Sequence, residues 1–256
     1  MTGLIAFFKK EFRELVRTKK FMIIMLLFLL IGIMNPAIAK LTPKLIEAMA
    51  DDLKSQGITL SDVKVTAMDS WLQFEKNMPM ALIVFLIMFS GIFTNEYSKG
   101  TLVPFITKGL SRNAIVLSKL SIMLFTWSVA FWMSYYVTYF YSDFYWDNSV
   151  INHIGYAAFG WWLYGVMFIC AIVFFSSFVS SGMQVIIGMG AVYFAMTLIS
   201  MYAKARKYLP SYLVNSGDLY AGKNVPGDTV IAVIITVVIS ALFVALSFLM
   251  TRRRQL

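Results

Sequence analysis

Few side chains in this 256-residue chain are equipped for covalent chemistry. His153 is its one histidine and Cys170 its one cysteine. A lone cysteine cannot close an internal disulfide, and the apolar neighbours of Cys170 argue against redox chemistry or a thiolate metal site. Intramembrane or metal-assisted hydrolysis would show H-E-x-x-H, G-x-S-x-G or paired carboxylates within an apolar stretch, and none occurs. An enzyme here would need His153 to converge with distant carboxylates. The phosphate cradle G-x-x-x-x-G-K-[ST] is missing too, so no ATP is expected on this chain. If it moves something uphill, another polypeptide must supply the energy.

The elements that hold these residues are apolar. Hydrophobic residues make up 59% of the chain and charged residues 14%, with a mean hydropathy of +0.74. Soluble domains average about 45–50% and about 25%, so a water-soluble enzyme, a disordered chain and a disulfide scaffold are excluded. In such a chain a net charge of +9 points to segments lying on anionic lipid and not to nucleic acid.

Charge-free stretches give the spans. Residues 21–39, 77–95, 120–142 and 229–251 carry no Asp, Glu, Lys or Arg, and each is long enough for a hydrocarbon core of about 30 Å. Residues 148–203 carry no formal charge either, but one helix of that length would reach roughly 84 Å. The polar interruption Ser176, Ser177, Ser180, Ser181 and Gly182 divides it into spans at 155–178 and 183–203. Six spans suit the basic ends: Lys9, Lys10, Arg13, Arg17, Lys19 and Lys20 lead the first, and Arg252–Arg254 follow the last. The positive-inside bias puts both termini in the cytoplasm of a multi-pass cell-membrane protein. No cleavage-site pattern precedes Lys40, so a cleaved signal peptide is not expected. A single membrane domain covers 1–256.

The remaining segments have their own patterns. Leu4, Ile5, Phe8, Phe12, Leu15 and Val16 recur at helical spacing with Lys9, Lys10, Arg13 and Arg17 largely opposite, as in a helix lying in the membrane interface. The outer loop 40–76 predicts a helical cap, with one helix starting at Thr42–Pro43 and stopping by Gly57, and a second from Thr66 to Lys76. Residues 131–146 contain ten aromatics, an outer aromatic belt. The inner string 96–119, EYSKGTLVPFITKGLSRNAIVLSK, places Leu102, Phe105 and Ile106 on one face of a short helix. Pro104 limits that helix, Gly109 stops it, and Ser111 caps the next. Such a helix fits a groove on a soluble partner, or it rests on lipid. Gly182, Gly188, Gly190 and Ala191 suit close helix packing, within one subunit or between two.

The opening FFKKEFRELVRTKKF, the string EYSKGTLVPFITKGLSRNAIVLSK and the six spans with a basic tail together resemble the permease subunits of type-2 ABC exporters. The resemblance covers essentially the whole chain. It implies an all-α integral membrane fold of six transmembrane helices with an N-terminal interfacial helix bearing Phe8, Phe12, Arg13 and Arg17. It also implies a coupling helix over 100–107 between spans two and three. Contact with the ATPase would involve Gly100, Thr101, Leu102, Phe105 and Ile106, with Glu96 at the foot of the second span and Arg112 after the turn. Residues 204–228 would form short re-entrant outer helices. ATP and Mg would sit on a separate cytoplasmic ATPase subunit, and a second permease copy or close paralogue would complete the pair.

The function expected is therefore export of an amphipathic or hydrophobic substrate, a peptide, antibiotic or lipid-like molecule; exporters of amphipathic peptides in Gram-positive bacteria look most similar. The competing expectation is a non-transporting sensor or immunity protein that binds a membrane-active peptide through loop 40–76.

Overall fold

The computed structural model describes residues 2–48 and 64–253. Six helices in it are long and apolar enough to cross a membrane, and the described residues contain no strand. A first helix, α1 (Thr2–Arg17), precedes them. The spanning helices are α2 (Lys20–Ala48), α3 (Ala67–Phe89), α6 (Arg112–Tyr145), α7 (Ile154–Ser176), α8 (Gly182–Ser200) and α11 (Val230–Arg253). Two short helices, α4 (Thr94–Ser98) and α5 (Val103–Thr107), join α3 to α6. Two more, α9 (Ala203–Arg206) and α10 (Gly217–Tyr220), lie between α8 and α11.

The outer segment differs from its expectation. Pro43 does not begin a helix but lies inside α2, seven residues beyond Pro36. Seven residues are two turns, so the two prolines share a face. The helix proposed from Thr66 is real, but it is the start of the second span. Thr66 caps α3, its N–H donating to Asp69 Oδ2 at 2.8 Å. Nothing in 67–89 breaks the helix, and Lys76 is only a charge on it. At its other end α3 stops at Phe89, short of residue 95, and the chain turns through Ser90–Phe93. The rest of the proposed cap, including Met49, Leu53 and Gly57, lies outside the described residues.

The turn between spans four and five is where the serines predict it. Ser181 Oγ accepts from Gln184 N at 3.4 Å, and Gln184 Oε1 accepts from Ser181 N at 3.2 Å, a reciprocal cap.

Helices α6 and α7 are the most buried of the spans. α2 packs on α3 and α6, and α11 on α7. Helices α6 and α7 approach closely at Gly165, where a Cβ would lie 2.1 Å from the Trp127 ring. Trp127 Nε1 donates to Trp162 O and Trp162 Nε1 to Ser128 Oγ, both at 3.0 Å. A polar chain crosses the other group. Asn77 Nδ2 donates to Asn35 Oδ1 at 2.8 Å, Asn35 Nδ2 to Thr138 Oγ1 at 3.0 Å, and Thr138 Oγ1 to Gly32 O at 3.1 Å. Each link satisfies a group that hydrocarbon would leave bare.

The aromatic run divides. Tyr135 and Tyr139 turn inward to meet Trp71, which also contacts Tyr220. Phe140 and Phe144 are 67% and 80% exposed and form the belt.

Candidate functional site: the inner coupling region

Helix α1 buries Phe7, Glu11 and Leu15, three residues spaced by four, against α6. Ile5, Phe12 and Val16 stay exposed, while Phe8 is half-buried. The single apolar face predicted is therefore two faces, one for the protein and one for lipid. Lys9, Arg13 and Arg17 are exposed. Lys10, expected on the basic face, instead turns inward.

Lys10 and the buried Glu11 belong to a ring of charges. Lys119 Nζ pairs with Glu96 Oε2 at 2.6 Å and Glu11 Oε2 at 3.1 Å. Lys10 Nζ pairs with the other oxygen of each, Glu96 Oε1 and Glu11 Oε1, and with Glu14 Oε2 at 2.8 Å. Lys119 is 1% exposed and Glu11 6%, so the ring replaces the water that both lost. Burial alone would lower the Lys10 pKa, but Glu14, Glu96 and Glu11 outweigh it and raise it. Burial likewise works to raise the Glu14 pKa, and the Lys10 ammonium outweighs that and lowers it. The carboxylates of Glu11, Glu14 and Glu96 stand close enough to suggest a cation site. The two ammonium groups already lie among them and make a metal ion a poor fit.

Glu96 is on α4, and so the ring ties the connection between spans two and three to α1 and α6. The rest of that connection is built on two glycines. Gly100 and Gly109 have φ of +63° and +91°, the left-handed region that side chains resist, and they set α5 between two sharp turns. Leu102 is 1% exposed. Phe105 meets Phe7 edge-on at 5.3 Å between ring centres, with Lys10 Nζ 5.9 Å from its own centre. Ile106 is half-buried. The apolar triplet thus faces the protein. Thr101, Val103, Pro104, Thr107 and Lys108 face outward, with Val103 43% exposed.

Ser111 caps α6, accepting from Ala114 N at 3.2 Å. Arg112 reaches the end of the last span, donating from Nη1 to Thr251 O at 2.9 Å and Arg252 O at 3.1 Å. A cation thereby meets two carbonyls in the last described turn of α11, where the helix dipole is negative.

The structure brings Glu96 and Phe105 against α1, packs Leu102 and Ile106 into the core, and holds Arg112 near the α11 end. Sequence reasoning put Lys10 on the basic face and missed the ion pairs it shares with Glu11, Glu14 and Glu96, as it missed those of Lys119. One signal was present: Glu11 interrupts the Phe7–Leu15 stripe at the spacing of a buried face. His153 is exposed at the start of α7 with φ of +54°, and Cys170 is buried.

A crevice of about 600 Å³ opens between α3, α7 and α8. Leu86, Trp161, Phe168 and Met189 form much of its apolar wall, and Glu75 and Lys76 stand at one end. Ser90 marks the other end, nearer the coupling region. Along α3 that is roughly 22 Å, most of a hydrocarbon core.

The family model described as "ABC-2 family transporter protein" matches residues 5–256. No curated protein matches.

Proposed function

The chain belongs to the ABC-2 transporter family, and from that premise we propose that it is the permease of an exporter for an amphipathic or hydrophobic substrate. It is a multi-pass membrane subunit without ATP-binding motifs of its own. In our reading a separate cytoplasmic ATPase binds ATP and Mg, docks on the outward face of α5, and moves it with each cycle. Both termini are then cytoplasmic, with loop 40–76 and α9–α10 on the far side.

The observation that carries this reading is the ion ring. Because Glu96 is bonded to Lys10 and Lys119, a push on the α4–α5 connection is delivered to α1 and to a spanning helix together. The substrate class rests on the crevice, which offers apolar wall at membrane depth and charge only at one rim. A second copy would cover the exposed side of α8, where Ile187 and Phe194 are 64% and 62% exposed. Gly182 and Gly188 are already used within the subunit, against Ser90 and Phe175.

Val103→Asp tests the docking face. Burying Val103 in a partner's groove contributes about 1.5 kcal/mol, and a carboxylate there adds a desolvation cost. The variant should insert normally, yet lose co-purification with the ATPase and substrate-stimulated ATP hydrolysis. Normal insertion with unchanged ATPase binding would overturn the docking role. Stimulation of hydrolysis by charged, non-amphipathic solutes alone would overturn the substrate class.

A further inference from the structure

The segment after α8 carries a cationic patch that the coupling region does not use. With 19 residues, α8 is about 28 Å long, close to the roughly 30 Å of hydrocarbon. Its end at Ser200 therefore reaches the level where acyl chains give way to headgroups. Lys204, Arg206 and Lys207 follow at once, on and just beyond α9, and all three are exposed. Among the described residues none of the three forms an ion pair. Their surroundings are those of a membrane surface: Met201 is 81% exposed, Tyr202 63% and Tyr208 40%, and Lys207 Nζ lies 5.2 Å from the centre of the Tyr208 ring.

The patch is held in place. The turn Pro210–Val214 that follows it presses on α7 at Gly160, where a Cβ would lie 2.8 Å from Leu213 O. Further on, Ser216 N donates to Glu75 Oε1 at 2.8 Å. Helix α9 thus continues from α8 at one end and is tethered by the following segment at the other.

We propose that Lys204, Arg206 and Lys207 bind the phosphate-bearing headgroups of anionic lipid in the leaflet remote from α1. Three cations without protein counter-charges supply the complementarity, and exposed Met201 and Tyr202, beyond the end of α8, offer apolar surface to the lipid chain. Only the naming of the leaflet as the outer one rests on the orientation proposed above. Lipid preference is measured without it and without an ATPase, so the two readings fail separately.

The test places a bimane on Met201→Cys in a Cys170→Ala background, in phosphatidylcholine nanodiscs. These are doped with either phosphatidylglycerol or phosphatidylcholine carrying a nitroxide near the top of the acyl chain. Each surface cation favours an anionic lipid by about fivefold. Quenching by the phosphatidylglycerol should therefore show at least about a fivefold preference, shrinking as salt screens the charges. K204Q/R206Q/K207Q should abolish the preference, while R13Q/R17Q should leave it intact. Equal quenching by the two lipids in the parent protein overturns the proposal, as does a preference that survives the triple substitution. Displacement by inorganic phosphate beyond that by chloride at equal ionic strength also overturns it, in favour of a soluble anion.

Discussion

In the ring Lys10–Glu96–Lys119–Glu11 each carboxylate answers to two cations, which fixes what substitution does. Lys119→Met leaves Glu96 and Glu11 buried with one partner between them and should cost about 3–5 kcal/mol, read as a lower melting temperature in detergent. Adding Glu96→Gln removes one stranded charge, so the double variant should recover part of the loss. The Lys10–Glu14 pair beside the ring sets a pH window. Glu14, with its lowered pKa, contributes above the ordinary carboxylate range, and that contribution goes as pH falls through its lowered value. Lys10, with its raised pKa, contributes at all pH below the ordinary lysine range and loses its hold only above it. A spin label at Leu15→Cys should accordingly stay immobile at neutral pH and gain mobility only once the pH has fallen below the ordinary carboxylate range; unchanged mobility far into acid would show that α1 does not depend on this pair. This chemistry was poorly legible in the sequence. Lys119 reads as the charge that ends a span, because its partners lie 23 and 108 residues away.

Element existence was far more legible than element ends. Uninterrupted apolar stretches imposed all six spans, since each must satisfy its own backbone in lipid. Where a helix leaves the hydrocarbon no such rule operates, so α2 runs on through Pro43, α3 begins ten residues before Asn77, and α6 begins eight before Leu120. The orientation of α5 was misjudged for a related reason: an apolar triplet shows that a face is buried without showing against what. Here Phe7 supplies the cover, and the face bearing Val103 is the exposed one. The glycines separate by local geometry. Gly165→Ala forces a Cβ into the Trp127 ring and should cost roughly 1–3 kcal/mol by overpacking. Gly109→Ala meets open space but keeps φ of +91°, costing about 1–2 kcal/mol at the turn. Gly190→Ala has neither problem and should melt within about 0.5 kcal/mol of the parent. If Gly165→Ala proved as mild as Gly190→Ala, the α6–α7 crossing would have to be looser than described.

At the scale of the molecule, six spans fix sidedness. In a Cys170→Ala background, cysteines at Thr2 and Ser181 should be labelled from the side of α1, and one at Lys223 only from the other. Labelling of Ser181 and Lys223 from one side would mean that α8 does not cross the membrane. Which long helices touch was not legible, because lipid-facing and protein-facing apolar residues look alike in sequence; only Asn35, Asn77 and Thr138 hint at it, as polar groups needing company. One contact has mechanical meaning. Helix α6 has 34 residues, about 51 Å, and Trp127 meets Gly165 close to its midpoint. Were α6 to tilt as a rigid rod, that crossing would serve as its fulcrum. The load arm on one side ends at Lys119 and Arg112, and the other carries Tyr135 and Tyr139 against Trp71. A tilt of about 5° would displace each end by about 2 Å in opposite senses, so a stroke applied at the base arrives at the aromatic cluster reversed in direction.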